Sequence, residues 1–283
     1  MTKTITRLII LTFKSWHKDQ VSHLAAALAY YTIFSLAPVL VICIAIAGLV
    51  FGQDVVSSRV IAQLGDVLGN ESALEIKGLI ENIQKPSTNI MASILGGLTL
   101  IWGSLGLFSE LQHCFDVVWK VKPTADKTWL DIVKDRFFSF TLVVGVGFLL
   151  LVSLFFSTFL KVITNHIYHL IPFANLWLML DFLISIGTIT ILFALIFKIL
   201  PDVTLQWRDV FLGAFVTALL FTLGKSVLSI YLVKSNIMTS YGAAASLIVI
   251  LIWVYYSAQI LLLGAEFTKV YTHELGSQEK VKK

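Results

Sequence analysis

Residues 210–233 read VFLGAFVTALLFTLGKSVLSIYLV, twenty-four amino acids with a single charge, Lys225. The hydrocarbon core of a bilayer is about 30 Å thick and takes roughly 20 helical residues to cross. The stretch is long enough to cross it, and its lysine then falls where water is scarce. Five other stretches have the same character: Leu24–Phe51, Ile90–Val118, Phe137–Leu160, Leu176–Leu200 and Gly242–Phe267. The whole chain agrees, with 57% hydrophobic residues, 13% charged residues and a mean hydropathy of +0.87. These values lie outside the range of soluble globular domains. The sequence therefore predicts an all-α polytopic membrane protein, one domain over residues 1–283 with six transmembrane helices.

The first stretch follows a basic, mixed tail and contains Pro38 in place of a small-residue cleavage site, so it reads as a retained helix. Lysine and arginine are unevenly placed. Fifteen fall in the N-terminal tail (1–23), the loop after the second stretch, the loop before the fifth and the C-terminal end (268–283); five fall in the alternate loops. The positive-inside rule then places both termini in the cytoplasm. The net charge of +4 is thereby explained by topology, and no nucleic-acid partner is expected. Cys43 and Cys114 lie inside expected spans, which argues against a disulfide framework or a cysteine zinc site.

Residues 53–88 form the longest loop. Val56, Val60, Ile61, Leu64, Val67 and Leu68, then Ala73, Ile76, Leu79, Ile80 and Ile83, recur at helical spacing. They predict a pair of amphipathic helices on the extracytoplasmic side, with Asn70 and Ser72 as caps of the second. The pair either lies in the membrane interface, covers the mouth of the bundle or docks a periplasmic envelope protein. Pro38 should free a backbone carbonyl and kink the first span. Gly97, Gly103 and Gly106 in the second span, and Gly224, Gly242 and Gly264 later, suit close helix packing.

An ionisable side chain in lipid costs about 2.5–3.5 kcal/mol even on the lenient insertion scale, so it is a functional candidate by default. Lys225 lies about 12 Å below the outer end of its helix, and Asp181 in the fourth span lies about 9 Å below the same surface. Two readings stand. Lys225 snorkels to the outer headgroups, or it faces a cavity and meets Asp181 or an anionic headgroup. At the cytoplasmic level, Glu110, Arg208, Asp209 and Glu266 form a second expected cluster, whose simplest role is to hold helix ends. The six histidines make no HExxH, and no GxSxG, Walker or dinucleotide fingerprint occurs in context. No enzyme, metal or cofactor is expected, and energy coupling by ATP within this chain is excluded.

From Pro201 to Tyr271 the chain carries Arg208, Asp209, Gly213, Ala214, Gly224, Lys225, Tyr231, Tyr241, Gly242, Trp253, Tyr255 and Gly264-Ala265-Glu266. With Asp19, Tyr30, Ser35, Pro38, Gly106 and Trp119 upstream, this order and spacing resembles the YihY/BrkB family of bacterial inner-membrane proteins. Two positions depart from the family's habit: Asp116 stands where Asn is common, and Thr222 near a common acid. The resemblance implies a six-span inner-membrane protein, and its members look like candidates for moving lipids or other amphiphiles. The old ribonuclease label of the family has no supporting residue constellation here. The expected function is a lipid flippase or envelope lipid-export component without its own ATPase. Membrane lipids are its partners, and Lys225, Asp181, Tyr231 and Tyr241 its candidate substrate contacts. An ion-coupled small-solute transporter and a non-transporting docking subunit are the alternatives.

Overall fold

A computed structural model describes residues 2–84, 106–121, 174–201, 203–235, 241–276 and 280–281. Most of the expected second span, including Gly97 and Gly103, and all of the third lie outside the described residues. Eight α-helices appear among the described residues: α1 (Thr2–Lys18), α2 (Val21–Phe51), α3 (Gln53–Leu68), α4 (Asn70–Gln84), α5 (106–119), α6 (Ala174–Ile199), α7 (Trp207–Lys234) and α8 (Ala245–Glu274). α2, α7 and α8 are long and apolar enough to cross a membrane, while the apolar run of α6, Ser185–Ile199, is shorter.

The expected tail over residues 1–23 is mostly a helix. One side of α1, with Leu8 and Thr12 buried, packs on α8. Its exposed side carries Ile5, Ile9, Ile10 and Phe13. Gln20 then adopts a left-handed conformation (φ 49°, ψ 43°), which breaks α1 from α2. A non-glycine residue there costs about 1–2 kcal/mol, so the corner is held by its packing. α2 runs unbroken through Pro38, whose missing N–H leaves the Phe34 carbonyl without its helical donor. Gly52 and Gly69, both with φ above 80°, end α2 and α3 in conformations that disfavour a side chain.

The expected amphipathic pair is α3 and α4. Val56, Leu68, Ile76 and Ile80 pack with Ile44 and Ala47 of α2 and Ile250 of α8, closing one end of the bundle. Leu79 and Ile83, which share the expected periodicity, are exposed instead. The Ser246 hydroxyl at the start of α8 donates to Glu75 Oε2 on α4 at 2.5 Å and pins the pair to the bundle. The larger core lies toward the opposite, terminus-bearing end. There Val21 and Ala25 of α2, Phe115 and Val118 of α5, Phe197 of α6, Ala214 of α7 and Leu262 of α8 meet.

α7 and α8 share a reciprocal contact built from the segments Gly213-Ala-Phe-Val-Thr217 and Gly264-Ala-Glu-Phe-Thr268. A Cβ on Gly213 would lie 1.9 Å from Thr268 Oγ1, and a Cβ on Gly264 would lie 1.9 Å from Thr217 Oγ1. Each threonine hydroxyl also donates to the carbonyl of its own glycine four residues back, at 2.7 Å. Each helix thus places a threonine in the gap left by the other's glycine, the close approach that small residues permit in membrane bundles. Gly224 extends the seam toward Tyr256 and Ile260.

Candidate functional site

Three charged side chains meet at the terminus-bearing end. Lys269 Nζ donates to Asp19 Oδ2 at 2.8 Å and to the Val118 carbonyl at 2.9 Å, and stands 2.5 Å from Glu266 Oε2. The side chains are 6%, 9% and 0% exposed for Lys269, Asp19 and Glu266. Local sequence explains the placement. Glu266 and Lys269 are three residues apart, so they share a face of α8; Asp19 sits at the α1–α2 corner. Val118 is in the last turn of α5, where carbonyls lack helical donors and a cation is favoured. The lysine therefore ties together the corner, the end of α5 and α8.

Burial pushes the Asp19 carboxyl up, yet the hydrogen bond and charge of Lys269, aided by Glu266 and Lys120, hold it below its usual value. Such a group stabilises the fold above the pH at which the unfolded carboxyl titrates, and that stability is lost as pH falls through its folded titration. Glu266 has Ser15 of α1 beside it, but neither of its buried oxygens receives a well-aligned hydrogen bond.

The expected cluster of Glu110, Arg208, Asp209 and Glu266 is arranged differently. Arg208 is exposed, and among the described residues neither it nor Glu110 forms an ion pair with Glu266. Glu110 is half-buried on α5 near Cys114. Asp209 is buried in the first turn of α7, where a carboxylate is favoured. Its Oδ2 would be 2.7 Å from a Cβ on Gly276, so the chain after α8 passes close over it. Four residues after Gly276 sequence and structure part again: Lys280–Val281, expected as part of a plain tail, pair antiparallel with Val203–Thr204.

Lys225 lies on the exposed side of α7. Thr222, Lys225, Ser226 and Ser229 recur at three- and four-residue spacing and form one polar stripe. Thr222 and Ser226 turn their hydroxyls back to the Ala218 and Thr222 carbonyls. Among the described residues Lys225 has no ion-pair partner, and the side chain of Asp181 lies outside them. Tyr231 and Tyr241 are exposed, away from the buried cluster. Gly106 packs on the Tyr31 ring, and Gly242 has a positive φ of 50°. Among the described residues no group of three or more His, Cys, Asp or Glu is placed to hold a metal.

The profile of the family described as Virulence factor BrkB matches residues 12–283. The chain belongs to the BrkB family. Relatives of this BrkB-family chain include a UPF0761 membrane protein of Haemophilus influenzae, 23% identical over 95% of this chain and 96% of that protein. A UPF0761 membrane protein of Alcanivorax borkumensis is 24% identical over 94% of this chain but only 60% of its own length. The YihY membrane protein of Salmonella typhimurium is 28% identical over 69% of this chain and 63% of that protein. No solved structure matches the chain.

The sequence reading missed Lys269, counting it with the C-terminal charges. Its signal was present in the Glu266–Lys269 spacing, which places the two on one helical face once α8 is extended to Glu274.

Proposed function

We propose that this BrkB-family protein handles phospholipids or similar amphiphiles in the bacterial cytoplasmic membrane, with both termini in the cytoplasm and six spans. One observation carries the reading: an exposed ammonium, Lys225, stands in a polar stripe on a helix that is otherwise apolar. Toward the outer end of α7, Lys225 is about nine residues, or roughly 13 Å, from Lys234. A lysine is a point charge that compensates a phosphate without demanding bidentate geometry. The hydroxyls of Ser226 and Ser229 extend the stripe along which a headgroup would move while its acyl chains stay in lipid.

This departs from a headgroup site inside the bundle. The polar path runs along the outer surface of α7, and the reciprocal Gly–Thr seam with α8 keeps that helix rigid. The exposed side of α3 and α4, with Leu74 and Leu79, supplies the surface on which an envelope partner would receive the lipid.

Leaflet exchange of a fluorescent phospholipid in liposomes containing the purified protein tests the reading, with dithionite as the quencher. Wild type is expected to bleach the inner-leaflet pool faster than protein-free liposomes do. Lys225→Ala should lower the protein-dependent rate at least tenfold, and Lys225→Arg should keep part of it. Equal rates for wild type and Lys225→Ala would remove Lys225 from the function.

A further inference from the structure

We propose that Asp19, Glu266 and Lys269 form a proton-binding site in which one proton is held between the two carboxylates. The charge count points to it. Two carboxylates converge on one ammonium, 2.8 Å and 2.5 Å from Nζ, and all three groups are more than nine-tenths buried. The three ammonium donors are committed to Asp19, Glu266 and the Val118 carbonyl. Fully ionised, the three groups would carry one net negative charge away from water, with only the exposed Lys120 near enough to offset it among the charges acting on Asp19. Adjacent buried carboxylates do not both ionise cheaply, and a shared proton relieves the repulsion.

Glu266 is the holder of that proton. Its side chain is fully buried, and beyond the shared ammonium at Oε2 neither oxygen has a hydrogen-bond partner among the described residues, a poorer setting for a second carboxylate than that of Asp19. Asp19 is the carboxylate that shares the Lys269 ammonium with it. A protonated Glu266 therefore donates to an Asp19 that Lys269 keeps ionised. The surroundings preserve this split: Lys120, just past the end of α5, adds positive charge on the Asp19 side, and from α1 the neutral Ser15 hydroxyl approaches Glu266. Release of the proton sets two carboxylates against each other at the joint between the α1–α2 corner and α8. The joint is then pH-sensitive from both directions. Stability due to the Glu266 proton is complete at low pH and is lost as pH rises through the site's folded titration; stability due to ionised Asp19 is lost as pH falls.

Infrared difference spectroscopy of the full chain in phosphatidylcholine liposomes, titrated from neutral to alkaline pH, reads the proton directly. Wild type is expected to show a protonated-carboxyl stretch at neutral pH that disappears at alkaline pH. Glu266→Gln, which imitates the neutral acid, should fold and lose the band, and its melting temperature should no longer fall at alkaline pH. Asp19→Asn should also lose the band while retaining Glu266, because one carboxylate facing one ammonium needs no proton. Should Glu266→Gln fail to fold, the wild-type titration and Asp19→Asn decide between them. No such band in wild type, or one unchanged in Asp19→Asn, would overturn the assignment.

Discussion

Lys269→Met is expected to destabilise the protein by about 3–5 kcal/mol, the cost of leaving buried charges without their partner. The substitution keeps the length and apolar stem of the side chain, so the loss is one of charge and not of volume. It strands the ionised Asp19 carboxylate beside Glu266 and leaves the Val118 carbonyl at the end of α5 without its donor. Because three elements meet at this ammonium, the damage should reach the α1–α2 corner, and protease should cut near Asp19 sooner than in wild type. Adding Asp19→Asn to Lys269→Met should restore part of the stability, since it removes the stranded carboxylate. Unfolding of the purified protein in mixed detergent micelles measures both steps. A single-variant loss below about 1 kcal/mol, in the range of an exposed pair, would mean that the cluster is hydrated.

Gly264→Ala is expected to be the second most damaging change, with a cost of about 3 kcal/mol, the upper part of the overpacking range. The new methyl would fall 1.9 Å from Thr217 Oγ1 and 2.8 Å from Thr217 Cβ. Neither helix can step back, because the mirror contact of Thr268 on Gly213 lies one turn away on the same seam. The clash predicts its own rescue: Thr217→Gly in the Gly264→Ala background should recover most of the loss. A double-mutant cycle measures the coupling, and residues in contact give interaction energies of about 0.5–3 kcal/mol. Additive effects of the two substitutions would show that the helices do not meet through this pair.

What was legible in the sequence follows from the physics of each element. The long apolar runs of α2, α7 and α8 announce themselves because nothing but a membrane accommodates them. The pair α3–α4 is equally plain, since its apolar residues alternate with charges at helical spacing. α1 was harder, as its stripe of Ile5, Ile9 and Phe13 is short and interleaved with Arg7, Lys14 and Lys18, so it reads as a basic tail. The buried cluster was legible only in part. Glu266 and Asp19 stand out, Glu266 by its apolar surroundings and Asp19 by family resemblance, but Lys269 resembles any of the lysines that close a membrane chain. Its role depends on α5 ending beside α8, a contact 151 residues apart in sequence that no local pattern encodes. The Gly–Thr seam left a clear trace, two GAxxT segments, yet their pairing required the antiparallel register of α7 and α8.

The central claim is that the Lys225 ammonium meets a lipid phosphate below the ordinary headgroup level. Solid-state NMR can measure it as dipolar dephasing of ¹⁵N-labelled lysine side chains by ³¹P in liposomes, with Lys225→Arg identifying the signal. The account predicts a dephased lysine signal, absent in Lys225→Arg, that survives Mn²⁺ added on both sides of the membrane to broaden water-exposed phosphates. A signal that vanishes with Mn²⁺ would place the ammonium at the membrane surface as a snorkelling anchor, and the absence of any dephased signal assigned to Lys225 would contradict the headgroup contact itself.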